Sequence, residues 1–301
     1  MPVHRICLPP GDVRTGTYIM TETLLSMPTL DHVVINARDH MDEAAAYYRR
    51  LGFQLTPRGR HTLGSINHLA IFSTDYLELI GIEPGAETTR VDILRSPLGL
   101  NGLVFGTEDS LRLHSALKAS GVAVAEPIEF SRPVEIASGT EDARFRVVRL
   151  APDAAPYGRI YFCHHFTRHL VWRDEWRQHA NGTVAVTRAV ICAADPDATA
   201  QLYRSMFGGD AVRPVAGGFS LAVGLSRFDI LTPAVVADSF GAAAPAAAGR
   251  TTYPAALGLR VRRLEDTYRM LEGSGVGVRR DGARLVVPSS EAFGATLEFV
   301  E

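Results

Sequence analysis

Residues 30–52 read LDHVVINARDHMDEAAAYYRRLG. The first six alternate as a strand does, and the polar NARD ends the run. Residues 41–51, MDEAAAYYRRL, carry apolar side chains at helical spacing, with Asp39 placed as a cap and Gly52 as the stop. FQLT, NHLAIFS and YLELIGI follow as strand-like runs. Residues 30–82 thus make one module of a strand, a helix and three strands.

The same order returns three times. LNGLVFGT (100–107) and DSLRLHSALKASG (109–121) open a second copy, continued by VAVAE, ARFRVVRL and GRIYFCHHF. VTRAVICAAD (186–195) opens a third, with helix DATAQLYRSMFG and strands GFSLAVG and SRFDILTP. ALGLRV (256–261) opens a fourth, with helix LEDTYRMLEGSG and strands ARLVVPS and ATLEFVE. ALKASGVAV (116–124) matched to MLEGSGVGV (270–278) relates copies two and four. One module leaves a sheet face bare, and two together bury it around a shared cavity. The expected fold is α+β, four βαβββ modules in two tandem domains at 28–166 and 184–301. Residues 167–183 form a bridge, 1–27 a poorly ordered arm, and the Ala/Gly/Pro-rich 235–254 a loop between modules.

The 301 residues are 46% hydrophobic and 21% charged, with a formal net charge of -2. That excludes a disordered chain and a strongly basic nucleic-acid binder. No apolar run approaches the ~20 residues of a membrane helix. The N-terminus does not read as a signal peptide, and three scattered cysteines without a CxxC pair point to a reducing cytoplasm. Lys118 is the only lysine and sits on a polar helix face, so Schiff-base chemistry is set aside. There is no GxGxxG, Walker A or GxSxG motif.

LDHVVI, the helix ending in YYRRLGF and the strand YLELIGI resemble the vicinal oxygen chelate superfamily, which includes glyoxalases and extradiol dioxygenases. The stretch HHFTRHLVWRDEWRQHANGT resembles the bridge of a bacterial glyoxalase-like group of tandem proteins. The resemblance spans roughly 28–301 and implies half-barrel domains with a metal site at the mouth. It also implies a His from the first strand of a module and a Glu from the last, the places of His32 and Glu78. Strand alternation sets His32 beside Val34, with Val33 and Ile35 under the helix. A His and a carboxylate in an apolar concavity suit Zn, Mn, Ni or Fe.

In the second module Gly102 stands where His32 does. The last strand offers His164 and His165 on opposite faces, and the resemblance favours His165, on the face of Tyr161 and Cys163. The expected ligands are His32, Glu78 and His165 around one divalent ion. Glu78 or His68 would be the base, with His68 read either as a cavity residue or as a polar strand opener. Cys163 is read as a small apolar filler. The second pair reads as degenerate: Arg188 in the place of His32, Asp229 of Glu78, Gly258 of Gly102, and Glu298 in the final strand. Arg188 is expected to pair with Asp229. Trp172 and Trp176 are expected to staple the domains together, the alternative being to wall a cavity over an aromatic substrate. His61 is expected on a loop, and RGR (58–60) as an exposed loop rather than a holder of an anionic group at the cavity entrance.

The reading is a metal-dependent glyoxalase-like lyase or isomerase acting on a small substrate with vicinal oxygens. A non-haem iron dioxygenase and a metal-free small-molecule binding or resistance protein stay open as alternatives. The expected partner is a small molecule, with neither nucleic acid nor membrane. Each chain carries paired modules, so a cavity does not require a dimer, and a homodimer is left open.

Overall fold

The computed structural model describes residues 28–87 and 90–301. The arm expected over 1–27 lies outside the described residues. The first sheet comprises β1 (Leu30–Arg38), β2 (Gly59–Arg60), β3 (Ile66–Ile71), β4 (Tyr76–Gly81), β5 (Gly99–Gly106), β6 (Ile128–Ile136), β7 (Gly139–Arg149) and β8 (Arg159–His165). The second comprises β9 (Thr183–Ala193), β10 (Val212–Val215), β11 (Gly218–Val223), β12 (Ser226–Leu231), β13 (Thr252–Val261), β14 (Arg279–Asp281), β15 (Arg284–Val287) and β16 (Thr296–Val300). The helices are α1 (Met41–Arg50), α2 (Val91–Arg95), α3 (Ser110–Ala119), α4 (Pro196–Phe207), α5 (Pro233–Phe240) and α6 (Leu264–Gly273).

The strand orders are β2-β3-β4-β1-β5-β8-β7-β6 and β10-β11-β12-β9-β13-β16-β15-β14. In each sheet two module-opening strands pair antiparallel at the centre, and each pairs in parallel with the last strand of its own module. This is the tandem α+β arrangement that the fourfold repeat implies.

The two faces of each sheet bury different things. Val33, Ile35, Ala44 and Tyr48 join a core that continues into the second unit through Tyr203, Phe207 and Phe228. Phe105 ties the two halves, its ring 4.9 Å from Phe207 and 5.4 Å from Phe228. The helical sides therefore meet, and the other faces carry separate clusters. Helix α1 stops at Gly52, whose φ of +82° favours glycine and where a Cβ would lie 2.9 Å from the Asn181 backbone nitrogen. Its N-cap is His40 without a side-chain bond, rather than Asp39.

Three local expectations differ. FQLT forms no strand, and RGR supplies the short β2 instead, its arginines paired with Asp42 and Glu83. VAVAE contributes one isolated bridge, Val124 to Leu150, while IEFSRPVEI forms β6 at the sheet edge. An edge position tolerates Pro133, because its missing N–H can face away from the ladder. The stretch expected to be a loop over 235–254 begins inside α5, with Pro233 in its first turn.

The bridge holds the units together through His179 and Asn181 rather than the tryptophans. His179 meets the Ile71 carbonyl at 2.9 Å, and Asn181 donates to the Leu51 carbonyl and accepts from Thr267. Trp172 and Trp176 pack on the concave face of the first sheet.

Asp75 adds a buried link, accepting from the Val186 N–H at 2.9 Å. Burial, reinforced by the charge of Asp31, pushes its carboxyl up to about 6 against the pull of the Val186 and Thr74 hydrogen bonds. The folded chain thus holds a proton that the unfolded chain, with a carboxyl near ~3.9, has already released. This contribution favours the fold below about pH 4 and is lost as pH rises through about 6. Asp75→Asn is expected to be more stable than the parent at pH 7.5, by on the order of 1–3 kcal/mol, with a smaller gain at pH 4.5. Urea unfolding at both pH values checks this, and an equal effect at both would refute it.

Candidate functional site

The concave face of the first sheet encloses a cavity of about 720 Å³. His32 and Glu78 lie on its wall, 3% and 5% exposed. Strands β1 and β4 run in parallel with Val34 beside Glu78, which sets His32 one strand step from the carboxylate. His32 Nε2 is 3.6 Å from Glu78 Oε2 and 2.9 Å from the Tyr161 hydroxyl. The Glu78 Oε1 atom accepts from Asn67 at 2.7 Å, so that oxygen is fixed. Tyr76 stacks on the imidazole at 4.3 Å.

Sequence reasoning missed Asp31. Strict alternation would send it to the helical side with Val33. The register between β1 and β5 slips between Leu30 and His32, however, and this bulge turns the Asp31 carboxylate toward the site. Asp31 Oδ1 lies 2.6 Å from His32 Nδ1 and 3.1 Å from His165 Nε2. Burial would raise its carboxyl, but the imidazoles of His165 and His32 hold it well below the usual carboxylate range. An ionised Asp31 accepts the proton of His32 Nδ1, so Nε2 presents its lone pair to the cavity.

His165 stands behind this arrangement rather than in it. It shares the face of Tyr161 and Cys163 but lies one step past the cavity wall, packed among Tyr76, Phe145 and Trp172 and bonded to Asp31. The structure does not bring it to Glu78. His164 takes the other face, 3.3 Å from Ser110. His68 is also away from the cavity: its Nδ1 lies 2.7 Å from the Thr56 carbonyl, and its neighbour Asn67 is the one facing in. His61, read as a loop residue, does line the cavity, with Nδ1 2.9 Å from the Ser65 hydroxyl. Burial lowers it to about 4 although Glu78 pulls it upward, so it is neutral at pH 7.

The sheet register assigns equivalent places. Glu78 lies beside Val34, two residues past His32, as Tyr161 lies beside Val104, two past Gly102. Tyr161, not His165, is therefore the counterpart of Glu78. A Cβ at Gly102 would lie 2.7 Å from the Val34 Cβ, so no larger residue fits there without repacking. In the second sheet the same register gives Arg188, Asp229, Ala256 and Glu298. Gly258, expected in the place equivalent to Gly102, instead pairs with Arg188 as Val104 pairs with His32.

In those second-sheet places the Arg188 guanidinium bridges two carboxylates, Nε to Asp229 at 2.6 Å and Nη1 to Glu298 at 3.1 Å. A guanidinium there supplies the positive charge between two carboxylates that a cation would otherwise supply.

Asp31, Cys163 and His165 also offer ligand atoms that all lie within 4.8 Å of one another. Burial, with Asp31 and Glu78 nearby, pushes the Cys163 thiol well above its usual value, so it is protonated as it stands. Among the described residues no helix is long and apolar enough to cross a membrane.

A family profile described as a glyoxalase-like domain matches residues 30–207, from β1 through α4. No curated protein matches the sequence. A hypothetical protein from Staphylococcus aureus superposes with a TM-score of 0.65 at 13% identity, over 91% of this chain and 99% of that one. A substituted 4-hydroxymandelate synthase from Streptomyces coelicolor gives 0.57 at 14% identity, over 91% and 92%. A xylose isomerase-like TIM barrel/4-hydroxyphenylpyruvate dioxygenase fusion protein gives 0.57 at 13%, over 90% of this chain and 48% of that one. At such identities the likeness concerns the fold alone.

Proposed function

The chain belongs to the glyoxalase-like domain family of the vicinal oxygen chelate superfamily, and from that premise we propose that it is a metal-dependent lyase or isomerase for a small substrate with vicinal oxygens. The observation that carries this reading is the meeting of His32 Nε2, Glu78 Oε2 and the Tyr161 hydroxyl at the wall of a buried cavity. One imidazole nitrogen and one carboxylate oxygen suit a borderline or hard divalent cation such as Zn, Mn, Ni or Fe. His32 Nε2 and Glu78 Oε2 lie 3.6 Å apart, near enough that both would hold one ion. The hydrogen bond to Asp31 is the support a ligating histidine needs. The residues fit the group: His32 and Glu78 would hold it, with Tyr161 beside them.

Such an ion, when bound, supplies Lewis acidity to a carbonyl or enediolate oxygen. Asp31 keeps His32 in one tautomer, and His165 keeps Asp31 in place. Asn67 fixes Glu78 Oε1, so Oε2 either holds the ion or, released from it, takes the proton beside the substrate carbonyl, not both at once. The Tyr161 phenol is held well above its usual pKa by burial and by Glu78. It stays protonated and is placed to donate to a developing oxyanion. Tyr76, Phe130 and Phe145 line the cavity beside these groups.

Elemental analysis of the purified chain beside a His32→Ala, Glu78→Ala variant tests the reading. About one divalent ion per parent chain is expected, absent from the variant. A metal-free parent, even after reloading, would sink the enzyme reading and leave a binding protein. Retention in that variant with loss in Cys163→Ser would place the ion at Asp31, Cys163 and His165 instead. The name of one structural neighbour, a fusion that includes a 4-hydroxyphenylpyruvate dioxygenase, keeps an oxygen-using enzyme as a second reading. Oxygen uptake separates it from proton transfer.

A further inference from the structure

The cavity wall beyond Tyr161 carries a concentration of positive charge that the chain's net charge of -2 does not foreshadow. Arg149 pairs across the strands with Tyr161, and Arg159 lies two residues before it on the same face of β8. Arg90 joins them, its guanidinium on Asp92 at 2.8 Å and on the Ser65 hydroxyl at 3.0 Å. Arg159 donates to Asn101 at 3.1 Å and stands 3.7 Å from Asp92, while its Nη2 is buried with no hydrogen-bond partner. Among the described residues no carboxylate pairs with Arg149. Arg90 and Arg159 both reach the Asp92 carboxylate, and Arg149 stands close enough to feel the charge of all three. Burial lowers both Arg149 and Arg159, and Arg90 adds repulsion to each.

Cations are buried in this way when something anionic completes them. We propose that Arg149 and Arg159, backed by Arg90, form an anion subsite gripping a carboxylate or phosphate group of the substrate. Two residues along a strand span about 6.6 Å, so the acid group would sit roughly that far from the oxygens met at Tyr161 and His32. Phe130, Phe145 and Val147 line the cavity as well and suit an apolar body carrying both groups. The substrate class is therefore an organic acid or phosphate ester with vicinal oxygens. The anion subsite stands on its own geometry, and only the second half of that description rests on the enzyme reading above.

Thermal unfolding is measured with inorganic phosphate or phthalate against chloride at equal ionic strength, with a chelator present so that metal plays no part. Either anion, or both, is expected to raise the parent's Tm beyond chloride; phosphate alone would indicate a phosphate ester and phthalate alone a carboxylic acid. Arg149→Gln with Arg159→Gln should weaken anion binding by roughly tenfold or more, given that charged hydrogen bonds are lost. That variant should be no less stable than the parent without anion, because crowded positive charge has been removed. Arg149→Lys, keeping the charge but not the fork, should fall between. The proposal is overturned if neither anion shifts the parent beyond chloride, or if the Gln variant binds with undiminished affinity. Metal content is read separately, so failure here and failure of the metal site remain distinct.

Discussion

Arg188→Ala is expected to cost about 3–5 kcal/mol of stability, the range for breaking one side of a buried ion pair. Asp229 and Glu298 are 7% and 6% exposed at the side chain, and Arg188 spans both. Their remaining partners are unequal. Asp229 retains the Ser220 hydroxyl at 2.6 Å and Arg227, which is largely exposed. Glu298 retains Arg284 at 2.8 Å. Removing the guanidinium between the two carboxylates leaves like charges facing each other in a poorly solvated place. Roughly 2–4 °C of Tm per kcal/mol makes this an obvious shift by circular dichroism. Arg188→Met with Asp229→Leu should recover part of the loss, because an apolar replacement of the pair carries no charge to desolvate. A cost of under about 1 kcal/mol for the single change would mean that the network behaves as a surface pair.

Asp31→Asn is expected to weaken divalent-metal binding by roughly 10–100-fold, the usual consequence of losing a ligand histidine's carboxylate partner. The substitution keeps the volume but removes the charge that both His32 Nδ1 and His165 Nε2 meet. His32 is then free to flip or change tautomer, and Nε2 no longer holds its lone pair toward the cavity. Metal titration followed by a competing chromophoric chelator reads the effect. Unchanged affinity would show that Asp31 plays no part in orienting a ligand. Cys163→Ser is the necessary companion. It should leave the affinity unchanged if the ion sits at His32 and Glu78, and lower it if the ion sits on the thiol side of Asp31.

Much of this fold was legible because the modules repeat. Each opening strand, from LDHVVI to ALGLRV, is followed by an amphipathic helix, and the repeats outweigh errors at any single element. The edges were less legible. β6 alternates polar residues and contains Pro133, so its signal is that of an edge strand with little buried on either face. The cavity side of β3 was ambiguous for the opposite reason. All six residues of β3 are buried, and alternation cannot say which set faces the helices and which faces the site. His68 and Asn67 exchange roles on that account.

The sequence alone determined the βαβββ repeat and the pairing of modules, because hydrophobic period and strand parity follow from nearest neighbours along the chain; His32 and Glu78 were singled out by the family resemblance, with strand parity as a check. It also held the charge logic of Arg188 beside Asp229. Only the tertiary structure decided that Asp31 turns inward, since a bulge is a property of two strands in register and not of either one. The same holds for Tyr161 standing where Glu78 has its counterpart, and for His165 reaching Asp31 rather than Glu78. The gathering of Arg90, Arg149 and Arg159 at one wall belongs to that class too. These residues lie far apart in sequence, and their meeting depends on strand order and sheet curvature, which no local pattern encodes.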